Sequence, residues 1–259
     1  MREYKELVRQ VLNEGRLIEG RNGNTINTFG KQLELPPAYN GFPIVTGRKI
    51  HYKGVLGELA AFLQSPTHIT DFREHGCNYW DDWADTNGDI RVDYGNKWQD
   101  FNGVNQLKRI VKELKDYPHS RRHVMIGWDP SNLDKLSLPC CHYGYQWMVN
   151  AEGSLDMLWI QRSADVMIGI PSDMVAAVVL NALMAQTVGL LPGRVVMQLG
   201  STHIYEQHIF NAYKYLDRPI HALPGWALDT DATVFNFTPE MFSLTNYKHE
   251  DSLKFELIV

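Results

Sequence analysis

The segment MVAAVVLNALMAQTVGLL, residues 174–191, is apolar on nearly every side. A helix with no polar stripe must be enclosed all round, so this segment predicts a core helix at the centre of a sizeable domain. The chain has 259 residues, of which 44% are hydrophobic and 21% charged, enough to build that core. No internal repeat, low-complexity tract or Pro/Gly/Ser-rich linker divides it, so a single domain over 1–259 is expected. The N-terminus is charged and amphipathic, unlike a signal peptide, and no run approaches the length needed to span a membrane.

Other segments carry both periodicities. Residues 2–15 read as a helix with Tyr4, Leu7, Val8, Val11 and Leu12 on one face, and 53–64 as a second with Val55, Leu59, Phe62 and Leu63 inward. Residues 103–117 read as a third. Segments 26–35, 121–128 and 194–205 have strand character, the last followed by a helix through Tyr215. Residues 21–25 read as a loop and TNGD at 86–89 as a turn. YGYQWMV and SLDMLWIQ flank NAEG at 150–153, the pattern of a hairpin. The sum is an α+β fold with a sheet carrying the site residues.

The formal charge of −5 argues against a nucleic-acid partner, though not against a local basic pocket for a small phosphate. Three cysteines, Cys77, Cys140 and Cys141, make a poor disulfide framework and favour a reducing, cytoplasmic setting.

LPCCHYG at 138–144 places two thiols beside His142. The spacing lacks the spacers of a metal motif, so no metal is expected. Neighbouring side chains on extended backbone point to opposite faces, so His142 is a poor base for Cys141, and a buried structural cysteine is the reading these residues favour alone. Arg21, the pair Arg121 and Arg122, and Gln161-Arg162-Ser163 offer guanidinium groups suited to phosphate; each alone is commonly just solvated. Trp80, Trp83 and Tyr94 can stack on a flat heterocycle or fill a core, with filling the default. Glu58 lies in a mostly apolar helix, either at an exposed edge or in a functional pocket.

Read in order, R-x-G-x-T at 21–25, FPIVTGRK at 42–49, GELAAFLQ at 57–64, WDDWAD-x-NGD at 80–89, YGNKW at 94–98, SRR at 120–122, LPCCH at 138–142, QRSADVMIGIPSD at 161–173 and STHIY at 201–205 resemble thymidylate synthase along nearly the whole chain. The resemblance implies that family's α+β fold, its mixed sheet forming the interface of an obligate homodimer with helices around it. It implies 5,10-methylenetetrahydrofolate as co-substrate and a pyrimidine nucleoside monophosphate as acceptor. Cys141 is then the nucleophile adding to C6. Glu58, Tyr94 and His142 belong to the network moving protons around the base. Arg21, Gln161, Arg162 and Ser163 bind the nucleotide, with Arg121 and Arg122 reaching across the two-fold to the partner's phosphate. His203 and Tyr205 bind the sugar hydroxyl. Trp80, Trp83, Asp165 and Gly169 line the folate pocket, Asp165 also serving the nucleotide. Arg48 approaches the folate's glutamate tail, and Leu257, Ile258 and Val259 form a closing C-terminal flap.

Two positions depart from thymidylate synthase. Asp173 replaces an Asn whose amide matches uracil, donating to O4 and accepting from N3–H. A carboxyl group matches cytosine instead, so Asp173 argues for that base. Ser201 replaces the usual Asp before T-H-x-Y. At both positions the chain resembles phage deoxycytidylate hydroxymethylases, which implies conversion of dCMP to 5-hydroxymethyl-dCMP. The retained Trp80, Trp83 and tail keep a dCMP methyltransferase in play, as does a tolerated Asp in an enzyme acting on dUMP. Gly47, Cys140 and Ser172 also differ from common family residues, and the sequence offers no reason. A non-catalytic nucleotide- or RNA-binding protein on this fold is a further alternative, and requires Cys141 to be dispensable.

Overall fold

The computed structural model of the chain describes residues 1–258. Eight strands occupy β1 (Arg16–Gly20), β2 (Gly23–Leu35), β3 (Val124–Ile126), β4 (His142–Val149), β5 (Ser154–Asp165), β6 (Leu191–Tyr205), β7 (Gly225–Leu228) and β8 (Phe242–Thr245). The α-helices are α1 (Arg2–Glu14), α2 (Tyr52–Leu63), α3 (Ile69–Arg73), α4 (Asn96–Gln99), α5 (Gln106–Asp116), α6 (Gly169–Val188) and α7 (Ile209–Asp217). The main sheet runs β1-β2-β6-β5-β4-β3; β7 and β8 form a separate ribbon. Every pair in the main sheet is antiparallel except β5 and β6, which run parallel and are joined through α6.

The apolar segment forms the core as its composition requires. Helix α6 packs on β5 and β6 beneath it and against α2 and α5 beside it. Its one buried amide, Asn181, donates from Nδ2 to the Leu155 carbonyl at 2.9 Å, tying helix to sheet. The helix begins at Gly169, five residues before the periodicity predicts, and stops at Val188, where Gly189 adopts φ 76° and turns the chain into β6. At 20 residues it is long and apolar enough to cross a membrane by length and composition, which corrects the expectation that no run approaches that length; 72% of its most apolar window is buried inside the protein.

The hairpin around NAEG forms as expected, with Tyr145, Trp147, Leu155, Met157 and Trp159 turned inward. The opposite face presents a cross-strand row of Val124, Gln146, Leu158 and Val196, each exposed or half-buried. Helix α5 starts later than expected, because Asn105 accepts from the Lys108 N–H at 2.8 Å and caps it there. Strand β3 is only Val124–Ile126, an edge strand with β4 as its single neighbour.

Candidate active site

The parallel pair sets the site. Strands β5 and β6 end side by side, with Ser163 beside Ser201 and Asp165 beside His203. Strand β4 starts with His142 beside Gln161, and the pairing of β2 with β6 starts with Thr25 beside Tyr205. Helix α6 then begins four residues after Asp165, which brings Gly169 and Asp173 over the same strand ends. Carboxyl ends of parallel strands are where such sheets leave room for ligands.

Cys141 lies just before β4. Its backbone N–H donates to the Tyr94 hydroxyl, and its carbonyl accepts from the Arg162 N–H at 2.8 Å. Gly95 makes this approach possible: at φ 73°, a Cβ there would sit 1.7 Å from the Phe62 carbonyl oxygen. Arg162 clamps the loop, donating from Nε to the Cys140 carbonyl at 2.7 Å and from Nη2 to that of Pro139 at 2.9 Å. Burial pushes the Cys141 thiol up, the Arg162 guanidinium pulls it down, Asp173 pushes it up and the Tyr94 hydroxyl pulls it down. The net shift is upward. The arginine therefore moderates the thiol but does not by itself hold it ionised.

His142 turns away from the thiol. Its Nδ1 lies 2.6 Å from the Tyr145 hydroxyl, its ring 4.1 Å from Trp159 and 4.5 Å from Tyr94. Burial pushes it down to about 3, so it is a neutral imidazole at ordinary pH.

Two buried carboxyl groups near one another have altered acidity. Glu58, on α2, accepts from the Trp80 indole N–H at 2.8 Å; burial lifts it to about 7 against that hydrogen bond. Asp173 accepts on Oδ2 from Gln161 Nε2 at 2.7 Å; burial lifts it to about 7, opposed by Gln161 and reinforced by Glu58 and Asp165. The Gln161 amide is itself oriented, because its Oε1 accepts from the Trp159 indole N–H at 3.1 Å. An indole can only donate, so the amide nitrogen must face Asp173.

Beside them, Asp165 Oδ1 accepts from the N–H groups of Met167 at 2.9 Å and Ile168 at 3.2 Å. A Cβ on Gly169 would lie 3.6 Å from Asp173 Oδ2 and 3.9 Å from Asp165 Cβ, so the bare glycine leaves an opening between the two acids. Arg48 donates to the Met167 carbonyl and lies 4.8 Å over the Phe255 ring, while its Nε is buried without a partner. An acid with a spare oxygen and a cation with a spare N–H thus flank the same turn.

At the end of β6, burial lowers His203, with Asp165 opposing. Asn27 Nδ2 donates to Ser201 Oγ at 2.7 Å, and Ser201 Oγ is 3.5 Å from His203 Nδ1. Burial raises the Tyr205 hydroxyl, and the nearby Asp165 and Cys141 raise it further, as expected of one cluster.

Other expected residues lie around this cluster or farther out. Trp80 is only 4% exposed and stacked on Phe72, so it supports Glu58 from beneath more than it lines an open pocket; half-buried Trp83 is 5.7 Å away at its edge. Arg21 is exposed in the turn between β1 and β2, at the Tyr205 end of the sheet. Arg121 and Arg122 are exposed before β3, and neither guanidinium has a hydrogen bond or ion pair among the described residues. Val259 lies outside the described residues.

Some departures now have a cause. A Cβ at Gly47 would meet Tyr215 Cε2 at 2.7 Å. Cys140 is buried with its thiol 3.7 Å from the Gly127 carbonyl, and Ser172 Oγ reaches back to the Ile168 carbonyl at 3.5 Å. Sequence reasoning missed Trp159 as a functional support, although residues 159 and 161 share a face on any strand through this segment.

A thiol between an arginine and a tyrosine, two carboxyl groups lifted to about 7, and His203 and Tyr205 beside Asp165 form a cluster suited to nucleophilic chemistry. The sequence matches the thymidylate synthase family profile over residues 2–259, and the chain belongs to the thymidylate synthase family. Membership carries folate-dependent transfer of a one-carbon unit to C5 of a pyrimidine nucleotide, with 5,10-methylenetetrahydrofolate as co-substrate.

Proposed function

We propose that this enzyme acts on dCMP, converting it to 5-hydroxymethyl-dCMP, and that Asp173 selects the base. The supporting observation is the state of that carboxyl group. Oδ2 accepts from an amide whose orientation is fixed by Trp159, and burial brings the acid to about 7. It can therefore accept from the cytosine amino group and hold a proton for N3 at the same time. Uracil presents N3–H and O4, and the ionised carboxylate, which only accepts, leaves O4 facing an oxygen with no proton to donate.

The residues then divide the work. Cys141 adds to C6; the C5=C6 electrons move toward C4, those of C4=N3 settle on N3, and N3 takes a proton from Asp173. The thiol's own proton restores Asp173, so the addition is neutral overall and C5 becomes nucleophilic. Tyr94 steadies the sulfur, and neutral His142 orders the polar groups around the base. Glu58, also near 7, moves protons at the ring directly or through water. The folate supplies the one-carbon unit. Arg48, Trp83, Asp165 and Gly169 hold it, with Trp80 behind Glu58.

Arg21, Arg162 and Ser163 take the 5′-phosphate, and Gln161, His203 and Tyr205 complete the nucleotide site. Arg121 and Arg122 serve the partner's phosphate in a homodimer built on the open sheet face, where Val124, Leu158 and Val196 lie exposed or half-buried. The enzyme works as one domain, residues 1–259, in the cytoplasm, the setting its free cysteines suit.

The second reading is methylation of dCMP with release of dihydrofolate, favoured by Trp80, Trp83 and the tail packed near the site. Incubation with methylenetetrahydrofolate and either dCMP or dUMP, followed by mass analysis, tests both. A product heavier than dCMP by the elements of formaldehyde is expected. A methylated product with dihydrofolate absorbance selects the second reading, and turnover of dUMP alone overturns the cytosine assignment.

A further inference from the structure

The tail returns to the site along a track of side-chain donors. Arg218 Nη1 donates to the Asp251 carbonyl at 2.5 Å and to that of Gly47 at 3.1 Å. Further on, Asn211 Nδ2 donates to the Lys254 carbonyl at 2.9 Å, and His208 Nε2 meets the Glu256 carbonyl at 2.8 Å. A carbonyl only accepts, so the His208 ring carries a proton on Nε2. Residues 208 and 211 are three apart at the start of α7 and share a face, while carbonyls two apart on extended backbone point the same way. The two spacings match and form a two-point clip.

The same imidazole touches the nucleotide side. It stands edge-on to Tyr205 with centroids 5.7 Å apart and edge-on to Phe255 at 5.3 Å. Phe255 in turn lies under Arg48, which holds the Met167 carbonyl two residues beyond Asp165. His208 is 2% exposed, and its Nδ1 is buried without a partner. Its position is therefore fixed by one hydrogen bond to the tail and by two rings, one belonging to the tail and one to the sugar-side tyrosine.

We propose that His208, helped by Asn211, is a positioning residue that clips residues 254–256 over the site and couples their hold to the nucleotide beside Tyr205. This rests on reading Tyr205 as a nucleotide contact. A sugar that fixes Tyr205 fixes the ring packed on it and so strengthens the clip; by linkage, a clipped tail strengthens nucleotide binding. Its effect is on how well the tail covers the folate, not on bond making.

Removal of the tail by carboxypeptidase, with and without dCMP or dUMP, reads the clip without requiring turnover. His208→Phe keeps the ring contacts and removes the donor; His208→Gln keeps an N–H near the Nε2 position. We expect His208→Phe to lose its tail about tenfold faster than wild type and Asn211→Ala to shift the same way by less. Nucleotide should slow the loss in wild type and in His208→Gln, but not in His208→Phe. In turnover, His208→Phe should raise KM for the folate about tenfold with kcat within about twofold. Unchanged tail loss in both His208→Phe and Asn211→Ala overturns the clip, as does a His208→Gln variant that behaves like His208→Phe. Faster loss in His208→Phe with no nucleotide effect in wild type overturns the coupling and counts against Tyr205 as a nucleotide contact, a result separate from the product assay.

Discussion

The buried half of the site and its exposed arginines are built in opposite ways. In the buried half the key groups are already engaged: Glu58 by Trp80, Asp173 by Gln161, Gln161 by Trp159 and His142 by Tyr145. At the rim, Arg21, Arg121 and Arg122 are exposed, and their guanidinium groups have no hydrogen bond or ion pair among the described residues, unlike Arg162, which clamps the cysteine loop. Selecting a ring needs donors and acceptors held before the ring arrives, since a mismatch then leaves buried groups unpaired. A phosphate is a strong, symmetric acceptor and can organise mobile arginines itself. Selectivity should therefore live in the buried half and affinity in the rim.

That contrast can be broken by substitution, beginning with the largest effect. Cys141→Ser should lower turnover by roughly three orders of magnitude or more, measured as kcat under saturating substrates, while nucleotide binding persists. Retention of full turnover would remove the covalent step. Asp173→Asn should move the ratio of kcat/KM for dCMP over dUMP by roughly 10²-fold toward dUMP. An unchanged ratio would mean that the buried half does not choose the base. Arg121→Ala and Arg122→Ala should each raise nucleotide KM by about tenfold, equally for both bases, and mixing either with Cys141→Ser should restore part of the activity if the arginines serve a partner's site.

The smallest effect is on stability. Asp173 rises from the ordinary carboxylate range near 4 to about 7, so the folded state binds its proton more tightly than the unfolded chain. The contribution is fully present below about pH 4 and is lost as pH climbs through 7. Thermal melts should show native stability falling over that window from this group, and Asp173→Asn should flatten the fall. An identical pH profile in the variant would show that burial does not shift this acid.

Much of this was legible in the chain. The core helix follows from an apolar segment with no polar stripe, and the hairpin from a turn between alternating runs. Cys141 was not legible on local grounds, because a free cysteine beside a histidine is more often structural; only the ordered resemblance gave it a role. Strand β1 escaped notice because all of its residues are exposed, leaving no alternation to read. The start of α6 at Gly169 was hidden because Ile170 and Pro171 look like a loop, and the turn that leads into them is closed by Asp165 accepting from Met167 and Ile168. The pairing of Gln161 with Asp173 joins a strand to a helix twelve residues on, which no local pattern reports.

The most direct measurement is a crystal structure with dCMP bound. The cysteine sulfur should lie within bonding reach of C6, and the residue 173 carboxyl group within about 3 Å of both the 4-amino group and N3. A base that sits out of reach of the sulfur, or presents another edge to that carboxyl group, would contradict the mechanism and the choice of cytosine together.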